Sequence, residues 1–361
     1  MQQALLSHLR QVAPDQADIQ IIQPADPFLE TAGEDLRRRI FITESIDGFV
    51  HCLRPEFTIP ICLHHIGISA GSNQKSRYAY GGTVFRQARQ GASEFMQVGL
   101  EDLGNADRVT TDVASIHDLT TALSNTGFDG AQVTLGDQDL FAVVVESLRL
   151  PQAIARRLVR SFGAPELVEA QIERLTDKGI AQNGEGLPDQ LALAGDVAGL
   201  VAHVEAKMQA GNLAIQAGRS PQAIAERMIE KIQENQFQLD AQSADILRRY
   251  LAMEVPMAEA PAALLRFAED TDLSFGLAGK EFFQRVAAMD SAGLDLKRIT
   301  YKASLGRNLE YYSGVLFEVA VGDVVVAGGG RYDRLCSLLG SDKAIPAVGF
   351  SISMDRLEEA L

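Results

Sequence analysis

Residues 307–333 read Arg-Asn-Leu-Glu-Tyr-Tyr-Ser-Gly, then Val-Leu-Phe-Glu-Val-Ala-Val, then Gly-Asp, then Val-Val-Val-Ala-Gly-Gly-Gly-Arg-Tyr-Asp. The apolar, β-branched runs at 315–321 and 324–327 flank Gly322-Asp323. A two-residue Gly-Asp link is a favoured tight turn, so the spacing predicts two adjacent antiparallel strands. Arg307, Glu310, Tyr311 and Tyr312 stand before this hairpin, and Arg331, Tyr332 and Asp333 stand after it. Strand packing does not account for those groups. Gly328, Gly329 and Gly330 remove every Cβ where the second strand is expected to end, which permits close backbone approach to a ligand or a φ above zero. Core-edge tyrosines beside a flexible turn are the plainer alternative. Two polar-aromatic clusters one hairpin apart favour a small-molecule pocket instead.

Working outward, a second hairpin is expected from 78–87 and 94–103. Alternation puts Phe95, Gln97, Gly99 and Glu101 on one face, with Met96, Val98 and Leu100 on the other. Tyr78, Tyr80, Gly82, Val84 and Arg86 share a face on the partner strand. Gln97 and Glu101 thus lie on either side of a glycine, an open polar floor for a small polar ligand. Upstream, 40–42 and 49–53 read as a strand pair joined around Asp47-Gly48, and Arg54-Pro55-Glu56-Phe57-Thr58 ends the second of these strands. Thr58 and Pro60 start a helix expected to run to about Ser69. Glu56 at such a place either receives a ligand ammonium or compensates Arg54, and the residues alone leave both open.

The flanks add a helix over 3–12, a strand over 19–22, an extended proline-bearing piece from Pro24 to Leu29, a helix over 106–126 and a strand over 132–135. From Asp139 alanine, leucine, glutamine and glutamate dominate, broken by proline and glycine, up to about residue 270. That composition predicts a helical insertion (139–270) between two parts of one sheet domain (1–138 and 271–361). The fold class expected is α+β, a largely antiparallel sheet flanked by helices.

The balance of 33 basic against 48 acidic residues, a net of −15, repels phosphate backbones and disfavours nucleic acid as the main partner. No run of about 18 apolar residues and no export signal is visible, so a cytoplasmic protein with no membrane partner is expected. Cys52, Cys62 and Cys336 lack Cys-x-x-Cys spacing and suit reduced structural thiols. Dinucleotide, Walker, zinc-protease and nucleophile-elbow motifs are absent from the sequence, and His64-His65 face different ways on a helix, so no metal site, cofactor or catalytic residue is assigned.

Leu53-Arg54-Pro55-Glu56-x-Thr58, Phe85-Arg86, Phe95-x-Gln97-x-Gly99-x-Glu101-x-x-Gly104, Arg307-x-Leu309-Glu310-Tyr311-Tyr312-x-Gly314, Gly329-Gly330-Arg331-Tyr332-Asp333 and Pro346-Ala347-x-Gly349-Phe350 occur in that order over nearly the whole chain. Together they resemble the catalytic domain of class II histidyl-tRNA synthetases. The resemblance implies a class II synthetase-like sheet carrying a histidine pocket. Glu56, Thr58 and Gln97 would hold the ligand's α-amino group, and Arg86 would face its carboxylate, with Arg307 adding positive charge. Glu101 and Tyr312 would bracket the imidazole, while Tyr311 and Tyr332 would close the pocket. An amino acid zwitterion and an imidazole need partners of these types.

The departures matter as much. Such synthetases place an adenine-contacting glutamate two residues after the motif arginine, where this chain has Ala88. They also carry a phosphate-holding arginine or histidine in the loop that here reads Gly91-Ala92-Ser93-Glu94. No anticodon-binding domain is expected after the helix containing Arg356. A histidine pocket without those parts resembles the regulatory subunit of short-form ATP phosphoribosyltransferase. That likeness implies a non-catalytic partner of a small catalytic subunit, in a hetero-octamer containing a homodimer of this chain, with L-histidine as feedback effector at the first step of L-histidine biosynthesis. Because Arg86, Arg307 and Arg356 remain, a compact histidine-activating ligase is the alternative; a free-standing histidine-binding protein is the third reading.

Overall fold

In a computed structural model, described for residues 1–69, 74–89, 91–177, 186–210, 220–306 and 311–361, both expected hairpins form. The strands are β1 (Ile22–Pro24), β2 (Ile42–Glu44), β3 (Val50–Leu53), β4 (Ser76–Phe85), β5 (Glu94–Leu103), β6 (Gln132–Asp137), β7 (Glu254–Pro256), β8 (Ile299–Lys302), β9 (Val315–Val321), β10 (Val324–Arg331) and β11 (Ala347–Ser353). A three-stranded sheet has the order β1-β3-β2, and an eight-stranded sheet the order β4-β5-β11-β10-β9-β6-β8-β7. Among the described residues, the β6/β8 pair alone in the large sheet is parallel.

Gly322 takes φ +57 at the turn, and Val321 pairs with Val324, so the tight link works as its sequence suggests. The glycine triplet differs from expectation. Gly328, Gly329 and Gly330 pair with Glu318, Phe317 and Leu316 on one side and with Ser351, Phe350 and Gly349 on the other, so the strand runs through them to Arg331. None has a positive φ. Space is what they supply: a Cβ at Gly329 would lie 2.1 Å from the Gly349 carbonyl oxygen, and one at Gly330 would lie 2.6 Å from that of Val315.

The chain divides into a sheet unit (Met1–Val144, Phe162–Ala164 and Arg249–Leu361) and a helical unit (Val145–Ser161 and Pro165–Arg248). The helical unit is narrower than 139–270. Composition marks helices but not the core they serve. The α6 residues Leu140, Phe141 and Val144 are buried, and the Phe141 ring stacks on Phe162 and Tyr250, at 5.0 and 6.1 Å. Downstream, β7 pairs with β8, which returns the chain to the sheet before residue 270.

Around the sheet lie α1 (Gln2–Val12), α2 (Asp26–Thr31), α3 (Glu34–Arg37), α4 (Thr58–Ile68), α5 (Arg108–Ser124), α6 (Gln138–Ser147), α13 (Ala260–Thr271), α14 (Gly276–Ser291), α15 (Leu335–Leu338) and α16 (Met354–Glu359). Pro27 belongs to the first turn of α2, where a missing N–H costs no hydrogen bond, so the piece read as extended is helical beyond Ala25. The helical unit holds α7 (Gln152–Arg160), α8 (Pro165–Thr176), α9 (Leu187–Leu193), α10 (Val197–Ala210), α11 (Pro221–Gln236) and most of α12 (Ala241–Leu251). It has its own small core of Ala192, Leu200 and Ala225. Among the described residues, no helix is long and apolar enough to cross a membrane.

A charged cluster ties the sheet unit together. Asp112 on α5 is fully buried and accepts from two buried arginines: Arg285 of α14 through Nε and Nη2, at 2.9 and 2.8 Å, and Arg331 of β10 through Nε and Nη2, at 2.9 and 2.7 Å. Arg285 also reaches Asp137 at 2.9 Å, and Arg331 reaches Asp333 at 2.7 Å. Removing one partner of such a group strands the others in a low dielectric. Asp112→Ala is therefore expected to cost on the order of 3–5 kcal/mol in urea unfolding followed by circular dichroism. Glu254→Ala, which breaks an exposed pair with Lys302 (2.8 Å), is expected to cost under about 1 kcal/mol.

Candidate functional site

The hairpin register sets Tyr78 opposite Glu101, Tyr80 opposite Gly99 and Gly82 opposite Gln97, all on one face. Alternation therefore assigned the face, but the floor is not open. A Cβ at Gly99 would lie 2.3 Å from the Tyr80 hydroxyl oxygen, which means that the Tyr80 ring crosses that position. Tyr80 stacks on Phe57 with centroids 4.6 Å apart, and the Arg54 guanidinium lies 4.3 Å from the Phe57 centroid. Gly82 makes room for this stack, since a Cβ there would meet Arg54 Nη2 at 2.6 Å.

Glu56 turns out to serve the helix that follows it. Its Oε2 accepts from the Thr58 N–H at 2.6 Å and its Oε1 from the Ile59 N–H at 3.0 Å, satisfying two of the donors a helix start leaves open. Arg54 is held elsewhere, donating to the carbonyl oxygens of Thr83 (2.8 Å) and Ile19 (2.5 Å). Burial raises the Glu56 carboxyl above its ordinary range; the Ile59 and Thr58 N–H groups and the nearby Arg86 cation oppose the rise. Arg86 donates to the Pro55 carbonyl oxygen at 2.8 Å and lies 5.1 Å from the Phe95 ring centroid.

Glu101, at 1% exposure, is the centre of the site. Its Oε1 accepts from the Thr58 hydroxyl at 2.7 Å and from Tyr80 at 3.4 Å, and its Oε2 accepts from the Tyr332 hydroxyl. Burial pushes its carboxyl up to about 8; the hydroxyls of Tyr332, Thr58 and Tyr80 pull it down, and the Glu56 carboxylate adds to the rise. Behind it, the Cys62 and Cys336 thiols are buried and hydrogen-bonded to each other, and burial pushes the Cys62 thiol well up.

Tyr311, Tyr312 and Tyr332 form one buried aromatic cluster, with centroids 5.1, 6.2 and 6.5 Å apart. Tyr312 packs over Gly330, its Cε1 3.2 Å from where a Cβ would stand. Gln97 is 6% exposed, and its Oε1 is buried with no hydrogen-bond partner among the described residues. Gln97 and Arg86 also line a cleft of about 360 Å³ with Arg39, Ala88, Phe95 and Arg356. Arg307 and Glu310 lie outside the described residues.

Glu56, Thr58, Glu101 and Tyr332 are thus linked by direct hydrogen bonds, with Arg86 beside Glu56 and Tyr311 and Tyr312 beside Tyr332. Arg331, which the sequence placed among the unexplained polar groups, points instead into the Asp112 cluster. Tyr80 and Phe57 were missed as parts of the site. The signal for Tyr80 was its shared face with Gly99 and Glu101. The arrangement offers buried carboxylates and an unpaired amide oxygen, and so suits a ligand that brings N–H donors or positive charge.

The family model for histidyl-tRNA synthetase matches residues 18–241 and 199–357. The ATP phosphoribosyltransferase regulatory subunit of Allorhizobium ampelinum is 45% identical over 361 residues, covering 99% of this chain and 96% of that protein. The same-named protein of Mesorhizobium japonicum is 46% identical, with 94% and 92% covered. Among solved structures, an ATP phosphoribosyltransferase regulatory subunit/histidyl-tRNA synthetase from Bacillus halodurans aligns with TM-score 0.67 at 18% identity, covering 99% of this chain and 77% of that one. A histidine–tRNA ligase subunit from Alicyclobacillus acidocaldarius aligns with TM-score 0.62 at 20% identity, covering 99% and 91%. These structural likenesses speak for the fold, a class II synthetase-like sheet with flanking helices.

The raised Glu101 carboxyl has a thermodynamic sign. Its stabilising contribution is present below its unfolded value, near 4.5, and is lost as pH rises through about 8, because the folded state holds the proton longer. Ligand-free protein is expected to lose stability between about pH 5 and about pH 8, and Glu101→Gln to lose less; urea midpoints at the two pH values measure the difference.

Proposed function

The chain belongs to the ATP phosphoribosyltransferase regulatory subunits, on the histidyl-tRNA synthetase fold, and from that membership we propose that it activates a short-form ATP phosphoribosyltransferase catalytic subunit and binds L-histidine for feedback inhibition. In this reading it is itself non-catalytic, acts in the cytoplasm at the first step of L-histidine biosynthesis, and forms a homodimer within a hetero-octamer with its partner.

One observation carries the histidine part: on the strand face that holds the buried Glu101, with the buried Glu56 hydrogen-bonded to the same Thr58, the Gln97 Oε1 is buried with no hydrogen-bond partner among the described residues. Histidine brings an ammonium for the Glu56–Thr58–Gln97 end and a ring N–H for Glu101. Arg86 then serves its carboxylate, with Arg307 as further positive charge, and Tyr311, Tyr312 and Tyr332 enclose the ring. Feedback inhibition requires histidine to bind the inhibited complex better than the active one.

The non-catalytic part is supported by the cleft next to Gln97. Ala88, on its wall, offers a methyl group and no side-chain acceptor for an adenine amine. The surrounding loop is tied down by Gln87, whose Nε2 donates to the Ile40 carbonyl oxygen at 3.0 Å and whose carbonyl oxygen accepts from Arg39 Nε at 3.0 Å. The same cleft favours a second reading, a compact histidine-activating ligase, because Arg39, Arg86 and Arg356 line it with positive charge.

Calorimetry of L-histidine against the chain, alone and assembled with a short-form catalytic subunit, tests the proposal, together with turnover of the assembly. Uptake of histidine, activation by the chain and loss of that activation with histidine are expected. Glu101→Gln is expected to weaken histidine binding about tenfold or more, the cost of a lost charge-assisted hydrogen bond. Absence of uptake in both settings overturns the histidine site, and histidine-dependent pyrophosphate exchange with ATP establishes the ligase instead.

A further inference from the structure

Glu101 has three hydroxyl donors, and one of them stands between the carboxylate and a backbone carbonyl. Thr58 serves Oε1, with the Glu56 carboxyl also in reach of its hydroxyl, and Tyr332 serves Oε2. Tyr80 has one hydrogen for two acceptors, Glu101 Oε1 at 3.4 Å and the Phe350 carbonyl oxygen of β11 at 3.2 Å. Its ring cannot swing away from either. Phe57 stacks on it at 4.6 Å, the chain at Gly99 lies against it, and Phe57 is itself held under Arg54.

Resting on the histidine reading of this pocket, we infer that Tyr80 is a positioning residue that sets the hydrogen-bond polarity of Glu101. With its hydrogen on Oε1, Tyr80 completes a set of donors that keeps the carboxyl ionised, an acceptor for a ring N–H. With its hydrogen on the Phe350 carbonyl, Glu101 loses that support and keeps a proton of its own. The site accordingly prefers an aromatic side chain that presents an N–H over an isosteric one that presents none.

The groups facing Glu101 all act on this balance. From the turn before α4 the Glu56 carboxylate disfavours its ionisation, the Cys62 thiol of α4 lies close by, and the Thr58 and Tyr332 hydroxyls favour ionisation as Tyr80 does. Tyr312 lies near Tyr80, and Cys336 of α15 is hydrogen-bonded to Cys62. Among them Tyr80 can be altered without removing a carboxylate or a donor that has no other acceptor.

Tyr80→Phe keeps the ring and its stack and deletes the hydroxyl. L-Histidine binding is measured by calorimetry from about pH 6 to about pH 9 in wild type and variant, so that the ligand's own titration is common to both. The variant is expected to bind about three- to tenfold more weakly near neutral pH, and its profile to shift to higher pH, because a lost donor raises the carboxyl. Its preference for histidine over β-2-thienylalanine, an isostere without a ring N–H, is expected to narrow. Phe57→Leu, which leaves the hydroxyl but frees the ring, is expected to move the profile in the same direction by less. Unshifted profiles in both variants, with histidine still bound, overturn the role of Tyr80 and leave the pocket standing. Failure of wild-type protein to bind histidine overturns the pocket reading and this inference with it.

Discussion

Everything at the site hangs from the carboxylate of Asp112. It lies in the second turn of α5, fully buried, with a guanidinium on each oxygen. One arginine comes from α14 and the other from the end of β10, so a single group joins two helices to the sheet. The next ring of contacts extends the hold. Asp137, bound to Arg285, accepts from the N–H groups of Asp139 and Leu140 and so starts α6. Asp333, bound to Arg331, accepts from the Ala347 N–H at 2.9 Å and so fixes the beginning of β11. Between Arg331 and Asp333 stands Tyr332. Both of its neighbours are anchored in the charged cluster, which leaves its hydroxyl aimed at Glu101. A buried network of this kind gives little net stability over a well-packed apolar core, but its geometry is unforgiving, and fixed geometry is what a binding residue requires.

On the opposite side the pocket rests on the start of α4. Glu56 and Thr58 sit two residues apart at a helix start, so one turn of chain supplies both a carboxylate that holds the helix and a hydroxyl that reaches Glu101. The β4–β5 hairpin supplies the third wall. Its glycines at 82 and 99 are where the Arg54–Phe57–Tyr80 stack comes down onto the sheet. Three separate pieces of chain thereby converge on Glu101 from residues 58, 80 and 332, and the carboxyl group is held from each.

Much of this was legible in the sequence, within a definite limit. Period-two alternation fixed which face Gln97, Gly99 and Glu101 occupy, and the Gly322-Asp323 turn fixed the central hairpin, because both are local. Alternation says nothing about what crosses a face from elsewhere. Gly99 was therefore read as open floor, when it is a seat for Tyr80. The glycine triplet invited a similar slip: loss of Cβ was taken as the end of a strand, whereas crowding between β9 and β11 demands it in the strand's interior. Arg331 stood among the groups that strand packing does not explain because its partner Asp112 lies 219 residues away, and no local pattern links the two.

Part of the site is held at a cost, and this shapes how it would respond to a ligand. Burial of Glu56 and Glu101 near each other raises both carboxyls, and the Gln97 Oε1 lies buried without a donor among the described residues, at a cost on the order of 1–3 kcal/mol for such a group. A ligand with donors in the matching places removes these penalties as it binds, so part of its apparent affinity is relief of a cost already present in the protein. That relief is felt through the groups that hold the pocket: the start of α4, the seat of Tyr80 on the sheet, and Tyr332 between its two anchors. A carboxyl group supported from three elements therefore links occupancy to how firmly those elements are joined, and a ligand stabilises the joined arrangement in proportion to its free-energy difference between the two.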